Sequence, residues 1–211
     1  MNTYDSIIPQ FISYDELRPA LTKPHLDGDN VVATNGHILI IIPVTKLSNQ
    51  YHPSEGYPGY KSILPRISSL YLSPKRILVE AAREYLQEIP KVPTVVECVS
   101  CDGFGCKKCA DKGEIVIPNK YQYDWVHHKI KIGESYFNPN YIEVILNVAA
   151  VNSSKSLYQH AGGEEKPTLL SFSKRPYSRN VHMLIMPIRC RTSVGDLEVE
   201  NSHEIPYEVT L

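Results

Sequence analysis

The chain has 211 residues, 42% hydrophobic and 21% charged, which fits one large domain or two small ones with a real apolar core and excludes a disordered tail. A formal net charge of -1 gives the whole molecule no strong attraction to nucleic acid or anionic lipid. The opening MNTYDSIIPQ lacks the basic and apolar regions of an export signal, and the most apolar run, 31–44, is too short to span a bilayer. The expectation is a cytoplasmic protein with no membrane partner.

In chain order, the first helix is predicted after Ser13, with Glu16 three residues on as a capping box, Leu17, Ala20 and Leu21 as its apolar side, and Pro24 as its stop. Val31 to Val44 reads as two apolar strands about a Thr-Asn-Gly-His turn, because Asn-Gly supplies the positive φ of a tight hairpin. Residues 46–60 read as a loop. Ser73-Pro74 opens a second predicted helix, with Ile77, Leu78, Ala81, Ala82, Tyr85 and Leu86 at helical spacing and Pro90 and Pro93 ending it. Val95–Glu97 and Glu114–Ile117 are β-rich flanks, residues 120–132 look extended, and a third helix starts at Asn138-Pro139. Strands are expected over Thr168–Ser173 and Val181–Pro187. This mixture, without regular strand–helix alternation, predicts an α+β fold.

Between the β-rich flanks lie Cys98, Cys101, Cys106 and Cys109, spaced C-x2-C-x4-C-x2-C, with one further cysteine, Cys190, far away in sequence. A C-x2-C turn presents two sulfurs to one ion, and two such turns close a tetrahedron with no position left for water. The reading is one structural Zn²⁺ at the tip of a hairpin, supplying the stability that a small hairpin lacks. An iron–sulfur cluster and a redox dithiol are the alternatives. Cys190 reads as a half-buried small side chain. The run CVSCDGFGC resembles one cysteine-rich repeat of the DnaJ-type co-chaperones. No His-Pro-Asp J-domain signature occurs, so that resemblance implies a zinc knuckle and nothing more.

Four segments carry a second resemblance: Ala33-Thr34-Asn35-Gly36-His37-Ile38-Leu39, the stretch from Gly56 to Pro65, Tyr136 to Ile142, and Met183-Leu184-Ile185-Met186-Pro187-Ile188-Arg189. In this order they resemble segments of the bacterial DNA polymerase sliding clamp (beta subunit) family. The resemblance implies a clamp-like fold of helices packed on antiparallel sheets: a first half over 1–93, an inserted zinc-knuckle hairpin over 94–117, and a second half over 118–211 ending in an acidic tail. It also implies a cleft for a short hydrophobic peptide, formed by Thr34, Gly36, His37, Ile38, Leu39, Pro58, Ile63, Met186, Pro187, Ile188 and Arg189. The bland alternative for Ile38, Leu39 and Ile188 is plain strand core. The chain departs from the family at Asn35, Ile38, Ser62 and Ile188, and it is too short for three clamp domains. Encircling DNA would therefore take a higher homo-oligomer. An adaptor fits better than a replicative clamp.

No H-E-x-x-H, glycine-rich phosphate loop or Gly-x-Ser-x-Gly elbow is present, so the expectation is a non-enzymatic, DNA-replication-linked protein-interaction module. The alternative is direct nucleic-acid binding through the basic segment 174–191, with Lys174, Arg175 and Arg179 on phosphates and Tyr177 stacking on a base. Neutralisation of that segment by the acidic tail is the blander reading.

Overall fold

The computed structural model describes residues 3–70, 73–177, 180–188, 201–205 and 207–209. In chain order these form α1 (Tyr4–Ile7), β1 (His25–Asp27), β2 (Asn30–Thr34), β3 (Ile38–Pro43), β4 (Lys75–Leu78), α2 (Val79–Gln87), β5 (Lys91–Glu97) and β6 (Glu114–Tyr123). There follow β7 (His128–Ile132), β8 (Ser135–Phe137), α3 (Pro139–Val151), β9 (Ser156–Gly163), β10 (Lys166–Ser171), β11 (His182–Ile185), β12 (Asn201–Glu204) and β13 (Tyr207–Val209). The fold is α+β, with helices packed on antiparallel sheets.

An eight-stranded sheet in the order β1-β2-β3-β11-β10-β9-β4-β13 forms the body. Residues on both sides of the cysteine run share it, since β3 pairs with β11 and β4 with β9. Strand alternation sends Ile38, Ile40, Met183 and Ile185 to one face, where they join Phe11, Phe137 and the apolar sides of α2 and α3 in the main core. Val32, Leu39, Leu169 and Leu184 point the other way and are covered by Tyr57, Tyr60, Leu64 and Leu70. A three-stranded sheet, β12-β7-β8, and a two-stranded ribbon, β5-β6, are the other sheets among the described residues.

Three sequence expectations are corrected. Residues 13–18 form side-chain turns and not a helix: Ser13 Oγ accepts the Asp15 amide, Asp15 Oδ1 accepts the Leu17 amide, and only a 3-10 turn over Pro19–Leu21 follows. Those short polar side chains take the amides that a helix would use, and Pro19 has none to give. The second helix begins five residues late, at Val79 with Leu78 at its cap, because Ile77 and Leu78 are drawn into β4 opposite Leu157 and Ser156. Pro93 does not stop a helix but sits inside β5 opposite Tyr121, next to a register irregularity and in a two-stranded ribbon whose strands are both edges, where proline is tolerated. The third helix is α3, with Asn138 Oδ1 accepting the Asn140 amide and Pro139 in the first turn. Strand β9 was missed, since its buried Gln159 and His160 break the apolar pattern.

Candidate metal centre and apolar groove

The four cysteines sit at the tip of the β5–β6 ribbon. Val95 pairs with Val116 and Val96 with Ile115, and the Cys98 amide then donates to the Gly113 carbonyl at 2.8 Å to close the ladder. Gly113 has φ +74°, and a Cβ there would lie 2.1 Å from the Gly103 carbonyl oxygen, so only glycine lets the two loops cross. The Sγ atoms all lie within 4.8 Å of one another. Cys98–Cys106 and Cys101–Cys109 are 3.9 and 3.8 Å apart, and Cys106–Cys109 is 3.8 Å. Metal–sulfur bonds of about 2.3 Å give tetrahedral edges of about 3.8 Å, whereas a disulfide needs about 2 Å. The cluster fits one tetrahedral metal ion with four sulfur ligands.

Backbone amides aim at the sulfurs: Gly105 N–H donates to Cys101 Sγ at 3.2 Å and Cys106 N–H to Cys109 Sγ at 3.1 Å. Such bonds favour thiolate, the form a metal takes. As free thiols the two differ. Burial, aided by neighbouring thiols, pushes Cys101 up to about 12. Cys109 is also desolvated, yet the Cys106 and Gly113 backbone hydrogen bonds bring it down to about 7.

Three of the four clamp-like segments converge at the mouth of the β2–β3 hairpin. Asn35 Oδ1 accepts the amides of His37 and Ile38, and Gly36 turns the chain with φ +92° beside the Arg18 guanidinium. Met186 N–H donates to the His37 carbonyl at 2.8 Å and Ile188 N–H to the Tyr136 carbonyl at 2.7 Å. The His37 ring stacks on Tyr141 at 5.5 Å. Thr34 is buried with its hydroxyl bonded to the Ile38 carbonyl. Ile38 and Leu39 are strand core on opposite faces of the sheet, while Met186, Pro187 and Ile188 are half-buried. Pro58 and Ile63 belong to the stretch that covers the second face, and Ile63 is 42% exposed. Arg189, Arg179 and Cys190 lie outside the described residues.

Beside this mouth runs an open groove of about 1120 Å³ between residues 17–24 and 50–58. Leu17, Pro19, Leu21, Pro24, Tyr51 and Pro58 give it an apolar lining, with Arg18, Lys23 and Glu55 also on its walls. The loops are tied together: the His25 ring stacks on Tyr57 at 4.5 Å, and Ser54 N–H donates to His25 Nδ1 at 2.9 Å. Leu17 is 91% exposed at the groove. Sequence reasoning placed it on the buried side of a helix, and no sequence signal marks these loops as a wall. Of the basic segment, Lys174 and Arg175 lie in the loop after β10. The Tyr177 hydroxyl donates to the Pro65 carbonyl and its ring leans on His182. Among the described residues no helix is long and apolar enough to cross a membrane.

The chain is similar to the DNA polymerase III subunit beta of Borrelia burgdorferi, with 19% identity over 86% of this chain and 60% of that one, at a TM-score of 0.47. It is also similar to the sliding clamp of Bartonella birtlesii bound to griselimycin (14% identity, 87% and 62% covered, TM-score 0.49). The Caulobacter crescentus DNA polymerase sliding clamp compares at 16% identity, 87% and 62% covered, TM-score 0.49. The chain thus spans about 60% of the length of these proteins. No protein-family profile and no curated protein matches it.

Proposed function

We propose that this protein is a non-enzymatic, clamp-like interaction module that takes a short hydrophobic peptide and holds one structural Zn²⁺ on Cys98, Cys101, Cys106 and Cys109. The observation that carries the peptide reading is the junction of three separated segments: the Met186 amide on His37, the Ile188 amide on Tyr136, and the His37 ring on Tyr141. Each of these segments resembles a clamp-family segment in sequence, and an apolar groove opens beside them. Thr34, Gly36 and His37 shape the turn at its mouth, and Pro58 lines it. Met186, Pro187 and Ile188 offer adaptable apolar surface nearby, with Ile63 on the covering stretch. Ile38 and Leu39 act from beneath, as the core that holds the turn. The zinc reading rests on sulfur separations that match a tetrahedron and on a donor set of four soft ligands. When bound, zinc would tie the two knuckles together as a structural ion.

The test is fluorescence polarisation with a panel of fluorescein-labelled hexapeptides carrying two or three Leu or Phe residues, beside a labelled DNA duplex. Binding of a peptide at constant salt, weakened at least about tenfold by Leu17→Glu or Met186→Glu, supports the reading. Charging Ile38 is uninformative because it is core. Failure of every peptide, with salt-dependent binding of the duplex lost on changing Lys174 and Arg175, would replace it with direct nucleic-acid binding.

A further inference from the structure

The sheet face away from the helices carries a second cavity of about 670 Å³, which shares no lining residue with the groove or the cysteine cluster. Ile41 and His182, paired across β3 and β11, line it together. Tyr60, Leu64 and Tyr177 add apolar and aromatic surface, and the exposed Asp29 and Lys61 stand at its rim. The volume is within the range of small-molecule sites.

His182 is the group that asks for a ligand. It is 6% exposed, and its Nε2 is buried without a hydrogen-bond partner among the described residues. The ring's other nitrogen serves the Asn180 backbone carbonyl. That contact puts the proton on Nδ1 and leaves Nε2 a bare acceptor. Burial, with His160 nearby, depresses the ring to about 4, so it is neutral at physiological pH. The Tyr177 ring centroid lies 5.8 Å from that of the imidazole, but its hydroxyl is committed to the Pro65 carbonyl, as that of Tyr60 is to Asp27. Tyr177 is also held at φ +54°, a left-handed conformation that a bulky residue adopts only under constraint. Nε2 has no surface of its own open to the cavity as the side chains stand, so a ligand that brings the missing donor reaches it by a small shift of the lining side chains, among which Tyr177 is held under strain beside it.

We propose that this cavity binds a small aromatic ring bearing one N–H or O–H donor, of the indole or phenol kind, with the donor taken by His182 Nε2 and the ring held against Tyr60 and Tyr177. The lining chemistry excludes the other classes. Lys61 at the rim is already paired with the Asp27 carboxylate at 2.7 Å, so with a neutral imidazole and the Asp29 carboxylate the lining disfavours an anion, and one nitrogen beside one exposed carboxylate is too few ligands for a metal. The same ring chemistry comes either from a free small molecule or from an aromatic side chain of a partner protein.

The experiment is a titration of the full chain, labelled with ¹⁵N-histidine, with indole, benzofuran and N-acetyltryptophanamide. Benzofuran has the shape of indole and no donor. Indole is expected to shift the His182 ring signals and to bind at least about tenfold more tightly than benzofuran. His182→Phe, which keeps a ring and loses the acceptor, should bring the two affinities together, and Leu64→Trp should block both by filling the cavity. Binding of N-acetyltryptophanamide as well as indole assigns the site to a partner's side chain, and binding of indole alone assigns it to a small molecule. Equal binding of indole and benzofuran to the unmodified chain, or no His182 shift up to about 10 mM indole, overturns the proposal. The unmodified chain decides the matter even if His182→Phe fails to fold.

Discussion

The β5–β6 ribbon and the eight-stranded body are held together by different forces. In the body, alternate residues of every central strand reach one of two apolar layers, and Phe11, Phe137, Ile130 and Leu169 are completely buried. At its base the ribbon is anchored, with Tyr123 buried in the main core and its amide on Asn140 Oδ1 of α3, but beyond that point it has no layer to pack on. Val96, Ile115 and Val116 remain exposed along it, and Val99 and Phe104 at its tip are 90% and 93% exposed. Two strands with open faces are at best marginally stable in water. The tip has instead four sulfurs within 4.8 Å and glycines that let its loops cross. A sheet stabilises itself in proportion to the area it buries; a ribbon this thin needs ligation.

That contrast is broken most severely at the cysteines. Cys98→Ala or chelation should abolish hydrogen-exchange protection over residues 97–114, since metal binding in small zinc modules is worth roughly 10–16 kcal/mol. The melting of the body should change little, and zinc-edge fluorescence should fall from one ion per chain to none. Cooperative loss of the body together with the tip would refute the separation of the two regions. Phe137→Ala tests the other side. It should cost the body about 3–5 kcal/mol in a urea titration and leave the metal content of the folded fraction intact.

Acid should strike the body through its buried histidines. His182 and His160 both have depressed pKa values, chiefly from burial, so below about pH 6.5 the unfolded chain binds protons that the folded chain refuses. Stability is therefore full above pH 6.5 and falls as the pH drops towards 4. His182 contributes roughly 3 kcal/mol to that fall. Urea midpoints at pH 7.5 and 4.5, with His182→Phe in parallel, check it, and the variant should show the shallower slope. A smaller effect is expected from Asn138→Ala, which removes the cap of α3 and should lower stability by about 1 kcal/mol. Phe104→Ser should change stability by less than about 0.5 kcal/mol, because the ring touches little.

Legibility followed the range of the interactions. The β2–β3 turn was readable because Asn35 and Gly36 satisfy it locally, and α3 because Asn138 and Pro139 cap it locally. Ile77 and Leu78 were misread because their helical spacing yields to pairing with β9, some eighty residues on. Strand β9 hid behind Gln159 and His160, polar residues buried on a sheet where His160 Nε2 finds the Ser171 hydroxyl at 2.8 Å. The groove at Leu17 left no mark in the sequence, since its walls come from two loops joined through the His25–Tyr57 stack.

By itself the amino-acid sequence determined the α+β class and the four-sulfur cluster, because C-x2-C turns and glycine links set ligand geometry within a dozen residues. Only the tertiary structure decided that Ile38 and Leu39 are buried in the two opposite apolar layers, and that His37, Tyr141 and Met186 meet. It also left one imidazole nitrogen of His182 buried without a hydrogen-bond partner among the described residues. Those outcomes depend on which strands pair across the sheet, a choice made by burying apolar faces over separations that no local pattern records.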